Sequence, residues 1–203
     1  MIVHSNDDSL HMYVTMNAVE AMPATKIVQR AVKQAQQICQ NKGLRFTELR
    51  CRVLKTIWSS HKPAKAYYIL DQLQAEAEAV CTSDHKGHER NNSSKGGKSG
   101  KAVSIRPPTV YRTLDFLMEH GLIHKLNSIH AYVGCSHPLE HNTCYFLICT
   151  ACGITSECCN SGLTEAIQHT TDKNSFKTRQ VTLEIEGKCQ QCNMTDPYIK
   201  ASS

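Results

Sequence analysis

Four of the chain's 11 cysteines stand in two C-x-x-C pairs, Cys149/Cys152 and Cys189/Cys192. Two such knuckles supply four thiolates in a tetrahedron, the closed arrangement of a structural zinc site. In a domain too small to stabilise itself, zinc substitutes for core, with apparent binding energies of roughly 10–16 kcal/mol in small zinc modules. A dithiol redox pair is the rival chemistry. Such a pair usually follows a strand and opens a helix, whereas Gly153 leads into a run that reads as another strand.

A second constellation comprises His124, Cys135, His137, His141 and Glu157. Imidazole, thiolate and carboxylate together suit zinc better than a hard cation. Taken singly, each histidine also reads as a surface or core residue, and the spacing alone does not decide between the two. A third group opens the segment R-P-P-T-V-Y-R-T-L-D-F-L, where Arg106, Thr109, Tyr111 and Arg112 stand at a helix start. Arginine can pair bidentately with guanine, worth about 1–3 kcal/mol of discrimination. Thr109 and Tyr111 suit a phosphate or a thymine methyl. A solvated helix end of ordinary charge has the same composition.

The elements that must position these residues follow from periodicity. Residues 1–23 read as an extension. From Thr25, Ile27, Ala31, Ala35 and Ile38 recur at helical spacing until Gly43. Thr47 is placed to cap a second helix carrying Leu49, Val53, Leu54 and Ile57. Pro63 starts a third helix from Ala64 to about Ala79, with Tyr67, Leu70 and Leu73 on one side. Residues 81–106, rich in Gly, Ser, Asn and Lys, read as a flexible basic loop. The loop's GGKS is not a phosphate-binding loop, because Asn92 stands where the first glycine is required. A fourth helix runs from Pro107/Pro108 to His120 and is closed by Gly121. Two β-like runs follow, Leu122–Leu126 and Ala131–Gly134.

Helices followed by a two-stranded wing form the winged-helix pattern, whose last helix lies in the DNA major groove. It is assigned to residues 24–126, with 127–136 as a hinge. Residues 137–203 read β-β-α-β: Tyr145–Cys149, Ile154–Cys158, Leu163–Thr171 and Lys177–Glu186. The fold class is α+β.

Charge agrees with this division. The net charge of +5 divides into +7 over residues 1–127 and −2 over residues 128–203. A basic amino half suits a polyanion, although an ordinary solvated surface gives the same figure. At 203 residues, 40% hydrophobic and 20% charged, the composition is that of a folded chain. The longest apolar run, Cys144–Cys149, is too short to span a bilayer. The first 24 residues carry Asp7, Asp8 and Glu20 but no Lys or Arg, so a secretory signal is not expected. A cytoplasmic location follows, in which thiols stay reduced and paired cysteines favour metal over disulfide. An enzyme is not expected: the H-x-E and P-C-x-x-C of a zinc deaminase are both missing. A site closed by four protein ligands also lacks the open position catalysis needs.

The segments P-P-T-V-Y-R-T-L-D-F-L-M-E-H-G-L-I-H-K-L, A-Y-V-G-C, F-L-I-C-T-A-C-G and C-Q-Q-C together resemble the ferric-uptake-regulator (Fur) superfamily, most closely its zinc-uptake-regulator (Zur) branch. The resemblance implies a winged-helix DNA-binding domain followed by a small α/β dimerisation domain. Two zinc ions per subunit are implied. Cys149, Cys152, Cys189 and Cys192 match the structural ligands, and His124, Cys135, His141 and Glu157 the regulatory ones. Tyr67 and Arg112 match positions that contact operator DNA.

The implied protein is a homodimeric repressor of zinc-uptake genes on double-stranded operator DNA, with no membrane or small-molecule substrate as partner. Its rival is a superfamily member sensing iron or peroxide. H-N-T-C-Y-F-L-I-C holds one histidine where iron sensors are His-rich, and Cys135 adds a thiolate, so zinc is favoured. Departures are the long 81–106 loop, Glu48 where proline is common, and His141 one residue early. The last keeps His137 as a second candidate for that ligand.

Overall fold

The structure, a computed structural model, describes residues 24–83, 105–138, 144–178 and 181–194. The first described element is α1 (Ala24–Asn41), which buries Ala31, Ala35, Ile38 and Cys39 on one face. Gly43, at φ +64°, ends it, and Leu44 N–H donates to the Cys39 carbonyl at 2.8 Å. Helix α2 (Glu48–Ser59) starts as expected, with the Thr47 hydroxyl accepting from Arg50 N–H. It is fastened on both sides. The Arg52 guanidinium donates to Glu76 and to the Leu73 carbonyl, each at 2.9 Å. The Arg50 guanidinium stacks 3.3 Å from the Phe116 ring centroid.

The third helix begins later than expected. Ala64–Lys65 form a short strand, β1, and α3 spans Ala66–Ser83. Ala64 and Lys65 pair antiparallel with Tyr132 and Ala131, so a distant strand claims the two residues after Pro63. The buried stripe of α3 is Ile69 and Leu73, while Tyr67 is 64% exposed. The helix also takes in residues 81–83, the start of the expected loop; the rest of that loop, to residue 104, lies outside the described residues. Helix α4 (Pro107–Glu119) buries Val110, Leu114 and Leu117.

Gly121, at φ +68°, turns the chain from α4 into β2 (Ile123–Leu126), which pairs antiparallel with β3 (Ala131–Gly134). The first sheet has the order β1-β3-β2. The segment 127–136, expected as a hinge, therefore contributes β3 to this sheet. Leu54, Ile69, Leu73, Leu114, Leu117 and Ile123 form its core with the helices.

Gly134 shows how closely β3 packs. A Cβ there would fall 2.2 Å from Trp58 Cε2 and 2.4 Å from Nε1. Gly134→Ala must displace the indole, and overpacking of this kind costs about 1–3 kcal/mol. We expect a lower Tm and a changed emission from Trp58, the chain's single tryptophan. Wild-type emission and Tm would show instead that β3 can shift without cost.

The second sheet contains β4 (Cys144–Cys149), β5 (Thr155–Cys159) and β6 (Leu183–Gly187) in the order β5-β4-β6. Strand β5 pairs antiparallel with β4, and β6 pairs parallel with it. A parallel return needs a crossover. It is supplied by α5 (Ser161–Lys173), capped by the Asn160 side chain accepting from Leu163 N–H at 3.0 Å. Strand β6 is shorter than expected; among the described residues 177–182 none is in a strand. A short helix, α6 (Gln190–Met194), follows it.

The expectation of wholly reduced thiols is also corrected. Cys144 and Cys159, directly opposed in the β4–β5 ladder with Cα atoms 4.1 Å apart, form a disulfide. Antiparallel pairing brings two sulfurs together that are 15 residues apart in the chain. Leu126, Phe146 and Ile148 form a second small core with Ile129 and Val133, joining one sheet to the other.

Candidate metal centres and nucleic-acid face

The parallel pairing of β4 with β6 builds the first centre. Cys149 lies opposite Gly187, so both strands end side by side and the C-x-x-C pair beyond each end meets the other. Thr150 N–H donates to the Gly187 carbonyl at 2.8 Å and fixes that junction. Gly153, at φ +76°, lets the first knuckle turn back, its N–H donating to the Cys149 carbonyl at 2.8 Å. Cys149 is the last residue of β4, Cys152 sits in the turn, Cys189 precedes α6 and Cys192 lies within it.

All four Sγ atoms lie within 4.8 Å of one another, and those of Cys152 and Cys189 are 3.8 Å apart. Zinc–sulfur bonds of 2.3 Å place tetrahedral sulfurs about 3.8 Å apart, so this donor set fits zinc. Its electrostatics fit too. The Cys189, Cys152 and Ala151 N–H groups lower the Cys149 thiol to about 6. The neighbouring Cys189 and Cys152 thiols push Cys192 up to about 12. Four adjacent thiolates repel one another, and a divalent cation at their centre removes that conflict.

The second centre lies between the sheets. His124 comes from β2, Cys135 follows β3 and Glu157 comes from β5; one ligand atom of each lies within 4.8 Å of the others. His124 Nε2 is 3.0 Å from Glu157 Oε1, and the Cys135 thiol donates to the same oxygen at 3.6 Å. Despite the short separation, the buried His124 Nε2 makes no aligned hydrogen bond. A buried imidazole nitrogen without an aligned partner, beside a carboxylate and a thiol, is a donor set that suits a shared cation.

Burial of Glu157, whose side chain is 7% exposed, pushes its carboxyl up. The His124 imidazole and the Ser136 N–H, donating at 2.8 Å, outweigh burial and leave it below its ordinary value. Phe146 packs against the His124 ring with centroids 5.1 Å apart and limits its tilt. His137 turns elsewhere, with Nδ1 3.8 Å from Cys159 Sγ. His141 lies outside the described residues.

A further tie between the sheets had no sequence signal. The β6 carboxylate of Glu184 accepts from Asn127 N–H at 2.7 Å, Ser128 N–H at 3.0 Å and the Ser128 hydroxyl at 2.5 Å. It holds the β2–β3 turn without a metal. Burial raises this carboxyl, but the bonds from Ser128 and Asn127 outweigh it and leave the carboxyl below its ordinary value. A carboxylate lowered on folding stabilises the fold above its unfolded pKa, and the contribution fades as pH falls through the lower folded value. We therefore expect the Asn127 and Ser128 amide resonances to shift in acid, at a pH below the ordinary carboxylate range. In Glu184→Gln that titration should vanish and stability fall by ~1 kcal/mol. Unchanged titration in the variant would remove Glu184 from the tie.

Arg106 is the N-cap of α4 and makes no side-chain capping bond. Arg106, Thr109, Tyr111 and Arg112 are all exposed, and Tyr67 projects from the first turn of α3. The two helix starts thus present two cations and two phenol rings to solvent, a composition able to meet a phosphate backbone and base edges.

The model of the Ferric uptake regulator family matches residues 97–186. The Zinc uptake regulation protein of Escherichia coli (strain K12) is 31% identical over 166 residues, covering 81% of this chain and 82% of that protein. Among solved structures, a zinc uptake regulator complexed with zinc and DNA superposes with a TM-score of 0.66 at 30% identity, covering 82% of this chain and 95% of that one. Holo XcZur gives 0.64 at 31% identity, covering 81% and 97%. With two sheets, a four-cysteine cluster and a His–Cys–Glu cluster in place, and with relatives matched over most of both lengths, the chain belongs to the ferric uptake regulator family, in its zinc-uptake-regulator branch.

Proposed function

We propose that the chain is a zinc-responsive, DNA-binding transcriptional repressor of zinc-uptake genes, acting as a cytoplasmic homodimer with two zinc ions per subunit and no enzymatic activity. The observation that carries this reading is the convergence of His124, Cys135 and Glu157 from different sheets on one point. Cys149, Cys152, Cys189 and Cys192 hold the structural ion. The regulatory ion is held by His124, Cys135 and Glu157, with His141 as fourth ligand. Residues 24–126, extended by β3, form the winged-helix domain. Tyr67, Arg106, Thr109, Tyr111 and Arg112 contact operator DNA.

The zinc supplies an electrostatic bond between ligands of opposite sheets. His124 moves with α4 through the Gly121 turn, whereas Glu157 moves with β5, so an ion joining them fixes the angle of α4 to the rest of the chain. A dimer must present its two recognition helices about 34 Å apart, one turn of DNA. A population moved from 1:99 to 99:1 needs about 10⁴-fold preference for the bound form. By reciprocity, operator DNA tightens zinc binding by the same factor. A thiolate in the donor set favours zinc over the harder iron(II).

Dimerisation is supported by an apolar strip on the second sheet. Leu147 and Ile185, paired in register on β4 and β6, are 42% and 45% exposed. An operator-fragment titration at buffered free zinc and at buffered iron(II) tests the proposal. Operator binding that rises with zinc supports it; binding restored by iron(II) alone overturns it.

A further inference from the structure

Cys144, Cys159 and Glu157 form a third cluster whose ligand atoms lie within 4.8 Å of one another. Glu157 and Cys159 are two residues apart on β5 and so share one face of the sheet, and Cys144 stands directly across from Cys159. His137 brings Nδ1 to 3.8 Å from Cys159 Sγ. Two sulfurs and a carboxylate oxygen thus meet at the outer end of the β4–β5 ladder, and the His137 imidazole lies beside one of the sulfurs. Glu157 already faces His124 and Cys135 through Oε1. A carboxylate has about four lone-pair directions, so it can serve a second ion beside the first.

We propose that Cys144, Cys159 and His137, with Glu157 shared, form an additional zinc site that exists only while the two thiols are reduced. Two thiolates and an imidazole suit zinc, a borderline-soft cation. The disulfide is the site's closed state, because a sulfur–sulfur bond leaves neither thiolate to bind metal. Opening it requires a dithiol reductant. Two electrons and two protons cleave the S–S bond, the reductant becomes a disulfide, and zinc then displaces two protons from the thiols. In the reverse step one hydrogen peroxide and two protons convert the zinc dithiolate to a disulfide, two waters and a released zinc ion. The site shares Glu157 with the proposed regulatory centre and rests on that reading only through this residue.

The test counts zinc in the full-length chain at one buffered free-zinc concentration. Protein reduced with a phosphine should carry one more ion than the Cys144→Ser/Cys159→Ser variant. It should also carry one more than peroxide-treated protein whose peptide map shows the 144–159 disulfide. Cobalt(II)-loaded reduced protein should show stronger thiolate-to-metal charge-transfer absorption than the double variant. His137→Ala, which keeps both thiols, should lose the additional ion too, and it serves if the double variant does not fold. Equal zinc content in reduced wild type and in the folded variants overturns the site. Cys135→Ser, followed by operator binding, reads the regulatory centre separately. If the count is equal while Cys135→Ser removes zinc-dependent binding, the additional site fails and the repressor reading stands.

Discussion

Cys135→Ser should raise the free zinc needed for half-maximal operator binding by ~100-fold or more, with the fold and the structural ion retained. Even second-shell partners of a metal change affinity by 10–100-fold, and Cys135 offers the ion its thiolate directly. The residue lies just beyond β3, where its N–H donates to the Leu122 carbonyl at 3.1 Å. That bond does not involve the side chain, so serine keeps the backbone path. The hydroxyl is smaller, stays protonated at neutral pH and binds zinc poorly. His124 and Glu157 then remain 3.0 Å apart without the thiolate that completes the donor set. Operator titrations in zinc buffers, with zinc content measured on the same samples, check this. Full zinc-dependent affinity with one ion lost would show that the inter-sheet ion does not control DNA binding.

Cys189→Ser should have the largest effect on stability. Apart from the Cys144–Cys159 disulfide and the Glu184 bonds to the β2–β3 turn, the second sheet has little to hold it: α5 buries no residue, and the core beneath Phe146 and Ile148 is small. Roughly 10–16 kcal/mol of apparent metal-binding energy is available to a structural zinc site, comparable with the stability of a whole domain. Cys189 also donates its N–H to Cys149 Sγ at 3.3 Å, so it joins both knuckles. In the variant we expect the β4–β5–β6 amides to exchange freely while those of α2 and α4 stay protected. A strong chelator should produce the same pattern in the wild type. A variant that loses its zinc but keeps full protection in β4 and β6 would assign the cage a role other than structure.

Legibility in the sequence followed the range of the interaction. Helices α1, α2 and α4 announced themselves through local signals: the spacing of Ala31, Ala35 and Ile38, the cap at Thr47, and Pro107 and Gly121 at either end of α4. The four-cysteine cluster was legible because each knuckle is a local motif. What the sequence could not display is which distant strand each strand meets. Ala64–Lys65 looks helical until Tyr132 and Ala131 pair with it. Cys144 and Cys159 have no assigned role in the sequence because nothing local says that they are opposed. Glu184 read as an ordinary polar position on a strand, yet it is the acceptor for a turn 56 residues earlier. Its sole available signal was a carboxylate on a strand bounded by apolar neighbours, too common to single out.

The parallel alignment of β4 and β6 has a consequence for biosynthesis. Cys149 and Cys152 leave the ribosome well before Cys189 and Cys192, and half a cage offers an ion just two thiolates. Capture must wait until the last strand has been made and the crossover through α5 has carried it back beside the first. The ribosome therefore passes Cys192 before this metal can be held by all four thiolates, and a polypeptide truncated ahead of Cys189 has no means of keeping it. Abundance of the finished protein should thus follow zinc supply at the moment of release, a dependence separate from any effect of zinc on the promoter.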